Sequence, residues 1–281
     1  MLTDAMTEQP SMLTELPARF AGWREELNAK REKEAATEAQ QQGERGSDVS
    51  AMIGGAMAVR ELSALVASRA GAGREVLVTT SVGSHQMWAA QGFEFERPNR
   101  QLITSGSMGL GSGLPAAIGA AVARPGALII DVDGDGSFLM NIQELATLRT
   151  SGATVKVIIL NNQALGMASQ VQDELYNGQG SPGVVHLGLP GRHFARTGDE
   201  AHVFPDFVAI ATAFGIPSRR VLLRDEVRDA MAAMLDCDGP FVLDVAIHPR
   251  EHVLQHLQPG AQCSVSTVDK LREVVAESWA E

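Results

Sequence analysis

The chain has 281 residues, 44% of them hydrophobic, and its 23 basic against 34 acidic residues leave a formal net charge of −11. That length and apolar content support a full hydrophobic core, while the acidic balance excludes nucleic acid and anionic membrane surfaces as partners, since either needs clustered Lys and Arg. The two cysteines, Cys237 and Cys263, form no CxxC, no secretory apolar stretch opens the chain, and no apolar run is long enough to span a bilayer, so a cytoplasmic protein is expected.

Taken in chain order, residues 1–50 form a polar segment, in which Trp23 to Glu34 predicts a solvated helix and Gly43 to Asp48 a linker. From residue 51 the pattern changes. Val59, Leu62, Leu65 and Val66 share one helical face, and Val76-Leu77-Val78 then predicts a strand over 76–79. A small-residue helix is predicted over Leu114–Val122, a strand over Ala127–Val132, a helix over Ile142–Leu148 and a strand over Val155–Leu160. Helices over Phe207–Phe214 and Val227–Leu235 precede a last strand over Phe241–Ile247. Strands separated by helices imply right-handed crossovers, so the expected fold is α/β: a doubly wound, mostly parallel sheet with helices on both faces, over residues 51–262. Residues 263–281 read as a tail with a short helix around 268–280, after an extended arm that carries Pro249, Pro259 and Gly260.

Two motifs close apolar strands. Gly134-Asp135-Gly136-Ser137 follows the strand at 127–132, and Asn161-Asn162 ends the strand at 155–160. In open α/β sheets, ligands bind outside the carboxyl ends of the strands, so Asp135 and Asn162 come to one rim. Two hard oxygen ligands there suit Mg²⁺, which takes its remaining ligands from a phosphate group and water. The glycines beside Asp135 let backbone N–H groups approach that phosphate. A third segment, Val82-Gly83-Ser84-His85, also follows a strand and falls at the same rim. These residues read as a site for Mg²⁺ and a diphosphate. His85 fits either a satisfied half-buried side chain or a phosphate contact through its ring N–H. The glycine-dense run Gly106–Pro115 fits either a tight turn into the following helix or a backbone that approaches a flat ring. His252 and His256 lie at i, i+4 but have no third ligand. Neither a Gly-x-Ser-x-Gly elbow nor a P-loop occurs, which removes the common hydrolase and NTPase readings.

The segments Ser81–Gln91, Gly113–Ala120, Gly134–Thr147 and Leu160–Met167, with Gly239-Pro-Phe-Val-Leu-Asp-Val and Glu251-His-Val-Leu, resemble the catalytic subunit of acetohydroxyacid (acetolactate) synthase. The resemblance covers only the last domain of that subunit. It implies a thiamine diphosphate- and Mg²⁺-dependent transferase or carboligase. Carried over to this chain, Asp135, the Asn162 side chain and the Ala164 backbone oxygen would ligate Mg²⁺. Val82, Gly83, Ser84, His85, Gly134, Gly136 and Ser137 would meet the diphosphate. Gly109, Leu165, Gly166 and Met167 would line the cofactor, with Leu110 in the place of the bulky residue that bends it. The bent shape brings the cofactor's amino group beside its acidic carbon, which is catalysis by proximity.

The departures from the family carry information too. The family's first domain supplies a Glu that starts the proton relay, its middle domain carries FAD in many members, and neither domain is represented here. Val171 stands at the acceptor-selecting Trp position, and Ser84 stands where Gln usually precedes the diphosphate histidine. The leading expectation is therefore the cofactor-binding subunit of a split enzyme that begins at its own Met1. Such an enzyme decarboxylates a 2-oxo acid, pyruvate foremost, and ligates the two-carbon unit to an acceptor. A separate subunit carrying the pyrimidine-binding domain would complete the hetero-oligomer. The alternatives are a non-catalytic or regulatory relic packed on a full-length synthase, and a decarboxylase or carboligase of specialised metabolism.

Overall fold

The computed structural model describes residues 52–69, 74–95, 102–104, 109–175 and 205–249, with Glu251 and Val253. The polar segment over residues 1–50, the tail after residue 263 and most of the arm before it lie outside the described residues.

Six strands form one sheet: β1 (Val76–Thr80), β2 (Leu102–Thr104), β3 (Leu128–Gly134), β4 (Val155–Asn161), β5 (Ser218–Val221) and β6 (Phe241–Ala246), in the order β2-β1-β3-β4-β6-β5. Every pairing is parallel, as the alternation of helices and strands requires. β1, β3, β4 and β6 are buried along their whole length, which explains why apolar residues dominate them: a central parallel strand is covered on both faces.

Alternate residues of each strand enter two different cores. On one face Val78, Ile130, Ile158 and Leu243 pack with α1 (Gly55–Arg69), with Trp88 of α2 (Ser84–Gly92) and, further along the chain, with Val227, Met231 and Met234. On the other face Leu77, Ile129, Val157 and Val242 pack under α3 (Gly113–Ala123), Phe138 of α4 (Asp135–Met140), α5 (Leu145–Ser151) and α7 (Phe207–Ala213). Helix α6 (Gly166–Leu175) follows β4, and α8 (Val227–Asp236) carries the three residues of the first core just named. The doubly wound expectation holds. The chain runs outward from β1 to β2 and returns to the other side of β1 with β3, so the switch point lies between the carboxyl ends of β1 and β3.

The segment 142–148, expected as one helix, is a 3₁₀ turn over Ile142–Glu144 that leads into α5. The cause is local. Asn141 Nδ2 donates to the Gly111 carbonyl at 2.8 Å, while the Asn141 carbonyl accepts the Glu144 N–H at 2.9 Å, an i→i+3 closure that tightens the turn.

Asp206 caps α7, its Oδ1 accepting the Ala209 N–H at 3.1 Å. Burial pushes this carboxyl up, but the Ala209 N–H and the Arg220 guanidinium outweigh that and hold it below its ordinary value of 3.8. Asp206→Ala is expected to lower stability by about 1 kcal/mol at pH 7, discounted for the exposure of the side chain. A depressed folded-state value means that this contribution is present above pH 3.8 and lost as pH falls through the folded value. Urea titrations of the two proteins should therefore converge in acid.

Candidate active-site cleft

The carboxyl ends of β1, β3 and β4 open onto a cleft of about 620 Å³, counting the space open to solvent. The loop after β1 supplies Val82 and Gly83, and α2 contributes Ser84 and His85 from its first turn. Gly134 ends β3, and Asp135, Gly136 and Ser137 form the start of α4. The loop after β4 supplies Asn162, Ala164 and Leu165, and α6 begins with Gly166 and Met167. Leu110 also lines the cleft, 44% exposed.

The other two expected residues are Gly109 and Val171. The Gly109 carbonyl accepts a 3.0 Å hydrogen bond from Ser112 Oγ, so the described part of the glycine-dense run makes the turn into α3. Val171 lies on α6, but its side chain is outside the described residues. Conversely, Trp88, Leu160 and Ala168 line the cleft without having been singled out. Trp88 was readable in principle, because it lies one helical turn after Ser84 on the same face.

Gly83 has φ +153°, and a Cβ there would sit 2.6 Å from His85 Cε1, so the imidazole packs directly on the backbone. Burial pushes His85 down to about 3, against a raising hydrogen bond to the Ser81 backbone, so its ring is neutral at physiological pH. Its Nε2 lies 3.4 Å from Asp133 Oδ1, yet the approach is too poorly aligned to be a hydrogen bond and Nε2 has no partner. The neutral ring makes no ion pair.

Beneath the rim, β3 carries two more acids that apolar pattern reading passes over. Asp131 and Asp133 are both fully buried. Asp131 Oδ1 accepts from Thr79 Oγ1 at 2.8 Å, and Asp133 Oδ1 accepts from Ser137 Oγ and from the Gly134 N–H. Burial, and for Asp131 also the neighbouring Asp133 carboxylate, pushes both carboxyls upward, Asp133 to about 7.

Asp135 is the only carboxylate among the described residues that line the cleft. Its Oδ1 accepts the Gly136 N–H at 2.9 Å, while Oδ2 is buried without a partner. Burial pushes Asp135 up to about 8, opposed by nearby backbone N–H groups. A buried carboxylate oxygen with no donor is the arrangement a cation would satisfy. Asn162 stands beside it, its Oδ1 accepting the Ala164 N–H at 3.1 Å and so orienting the amide. The residues present therefore fit a small divalent ion with an anionic group held over the backbone of Gly136 and Ser137. Glycine at 166 is needed for the fit, because a Cβ there would lie 2.7 Å from Ser84 Oγ and 2.9 Å from Asn162 Nδ2. Gly166→Ala should cost on the order of 1–3 kcal/mol in packing strain and weaken cofactor binding about tenfold, as read by calorimetry.

An all-parallel, doubly wound sheet with Gly-Asp-Gly and Asn-Asn at adjoining strand ends defines a cofactor-binding α/β domain. Residues 81–245, more than half of the chain, match the family described as thiamine pyrophosphate enzyme, C-terminal TPP binding domain, and the chain belongs to that family. It is 45% identical over 186 residues to acetolactate synthase 3, chloroplastic, of Brassica napus, which covers 66% of this chain and 27% of that protein. It is 50% identical over 180 residues to probable acetolactate synthase 2, chloroplastic, of Oryza sativa subsp. japonica, covering 64% and 26%. The resemblance carried by the motifs is thereby borne out, and the chain spans about a quarter of the length of these relatives. Among solved structures, benzoylformate decarboxylase from Polynucleobacter necessarius aligns at a TM-score of 0.54 and 24% identity, over 73% of this chain and 34% of that one, a likeness of fold alone. No helix among the described residues is long and apolar enough to cross a membrane.

Proposed function

We propose that this chain is the thiamine diphosphate- and Mg²⁺-binding subunit of a split acetolactate synthase-like enzyme, in which a separate subunit carries the pyrimidine-binding domain. The observation that carries the reading is the unpartnered, buried Asp135 Oδ2 beside Asn162 at the sheet's switch-point rim. In this reading Asp135, Asn162 and the Ala164 carbonyl hold Mg²⁺. The N–H groups of Gly136 and Ser137, the Ser137 hydroxyl and the backbone at Gly83–Ser84 hold the diphosphate, and the neutral His85 ring offers a hydrogen bond without adding charge.

Thiamine diphosphate, when bound, supplies the electron sink for decarboxylation and carbon–carbon ligation of 2-oxo acids. The chain's own contribution is binding and orientation. Leu110 and the apolar walls made by Val82, Trp88, Leu160 and Met167 give the bound cofactor an apolar lining. Asp135 faces the cation, so no second carboxylate in the described cleft is left to start a proton relay, and we assign that group to the partner. Val171 in place of a bulky aromatic widens the acceptor choice, which leaves the acceptor open to compounds beyond a second oxo acid.

The chain combined with a candidate partner, thiamine diphosphate and Mg²⁺ should release carbon dioxide from pyruvate and form acetolactate or another acyloin. If no 2-oxo acid is decarboxylated by the pair, the split-enzyme reading is wrong. Calorimetry on the chain alone separates it from a packing relic, which would bind neither thiamine diphosphate nor Mg²⁺.

A further inference from the structure

The loop that carries Asn162 and Ala164 is held by residues remote from the cleft. Asn161, the last residue of β4, accepts the Gln163 N–H on its Oδ1 at 3.1 Å, and Asn162 accepts the Ala164 N–H in the same manner one residue later. Between these two side-chain turns sits Gln163 at φ +56°, the one non-glycine residue with positive φ among the described residues. That conformation costs about 1–2 kcal/mol and persists only where its surroundings dictate it.

The surroundings include the Asp135 carboxyl beside the Gln163 and Ala164 N–H groups and, on the side away from the cleft, a chain of polar and charged side chains. Asn161 Nδ2 donates to Asp244 Oδ1 of β6 at 3.0 Å, which fixes the amide so that its oxygen must face Gln163. The other Asp244 oxygen accepts from Arg220 Nε of β5 at 2.9 Å, and Arg220 reaches on to Asp206 at the start of α7. Asp244 is fully buried, and its carboxylate is bridged on one side by an amide and on the other by a guanidinium whose side chain is 8% exposed. A bridged carboxylate of this kind has one geometry, because losing either partner leaves a buried charge unmatched.

We infer that Asp244 and Arg220 are positioning residues for the cation loop: the Asp206–Arg220–Asp244–Asn161 chain holds the Asn162 side chain and the Ala164 carbonyl in the arrangement a divalent ion requires. The inference rests on the Mg²⁺ site proposed above. The plainer role for the same bonds is to tie edge strand β5 to β6, which would affect stability and leave the loop alone. Residues that orient first ligands typically change metal affinity about 10- to 100-fold when removed, and this separates the two roles.

The test is Mn²⁺ affinity of the full chain at saturating thiamine diphosphate, read from the paramagnetic resonance signal of free Mn²⁺, alongside the unfolding midpoint of each protein. Arg220→Met should weaken Mn²⁺ binding about tenfold or more and lower the midpoint. Arg220→Met combined with Asp244→Leu removes the charge pair as a unit, so the midpoint should recover while the weakened Mn²⁺ affinity remains, because Asn161 has lost its anchor. This double variant decides the matter if the single one folds poorly. Lys156→Met serves as the control. Lys156 Nζ binds the carbonyls of Cys237 and Gly239 near the amino end of β4, so its loss should lower the midpoint without moving Mn²⁺ affinity. Mn²⁺ binding by the double variant within twofold of wild type overturns the inference, as does a weakening in Lys156→Met that matches Arg220→Met. A wild-type chain that binds no Mn²⁺ with thiamine diphosphate overturns the proposed function itself, an outcome visible before any variant is made.

Discussion

Asp135→Ala is expected to abolish binding of thiamine diphosphate with Mg²⁺ to this chain, lowering affinity by at least about 100-fold in calorimetry. The magnitude follows from the site. Asp135 is the only carboxylate lining the described cleft, and removing one partner of a buried ionic contact costs about 3–5 kcal/mol, which is two to three decades in affinity. The isosteric Asp135→Asn sharpens the result, because its effect on the ligand-free chain has the opposite sign. Burial pushes the Asp135 carboxyl up to about 8, so the folded state without a cation bears a penalty at neutral pH that an amide does not. Asp135→Asn should therefore unfold at a higher temperature than wild type in the absence of ligand, and lose the stabilisation that thiamine diphosphate and Mg²⁺ give wild type. A variant that both binds and unfolds like wild type would remove Asp135 from the site.

The second large effect is a fall in the stability of the ligand-free chain between pH 6.5 and 8. Asp133 and Asp135 have folded values pushed up to about 7 and 8 from 3.8, and Asp131 and Asp244 are pushed upward too, all by burial first. A raised folded value means that the stabilising proton is bound in acid and lost as pH rises through that value. His85, pushed down to about 3, works in the other direction, but only below its ordinary value of 6.5, where the unfolded ring takes up a proton. Above pH 6.5 the carboxyls act without that opposition. Each proton retained on folding contributes about 1.4 kcal/mol per pH unit, so a loss on the order of 2–3 kcal/mol across the window is expected, several degrees in the unfolding midpoint. Saturating Mg²⁺ and thiamine diphosphate should flatten the Asp135 share of the slope, and Asp135→Asn should flatten it without ligand. A midpoint that stays level from pH 6.5 to 8 in the ligand-free wild type would contradict the burial of these acids.

The parts of the fold that were legible in the sequence are those where burial is total. β3, β4 and β6 are rich in apolar residues because helices cover both faces. β2 and β5 carry no such signal because they are the sheet's edges: Leu102–Thr104 is three residues long, and Ser218-Arg-Arg-Val has no apolar run at all. α4 was hidden for another reason, since it begins at Asp135 itself and the motif masks the helix. At the site, Asp135, Asn162 and the Val82–His85 segment could be placed because strand ends are where a parallel sheet binds. Asp133 could have been found by the same logic, two residues before Asp135 on the strand that feeds it. Asp244 and Arg220 could not, because their meaning comes from β6 and β5 lying side by side, a pairing that local pattern does not encode.

The order of the sheet also bears on how the protein is made. β6 inserts between β4 and β5, and the amide of Asn161 is oriented by a carboxylate 83 residues further along the chain. During synthesis the Asn161 amide lacks the carboxylate that orients it until Asp244 has left the ribosome. The bond that orients Asn161 thus waits on one of the longest-range pairings of a parallel sheet, a kind of contact that is slow to close. A nascent chain halted before β6 would carry the whole Gly-Asp-Gly and Asn-Asn sequence and still lack the carboxylate that orients Asn161.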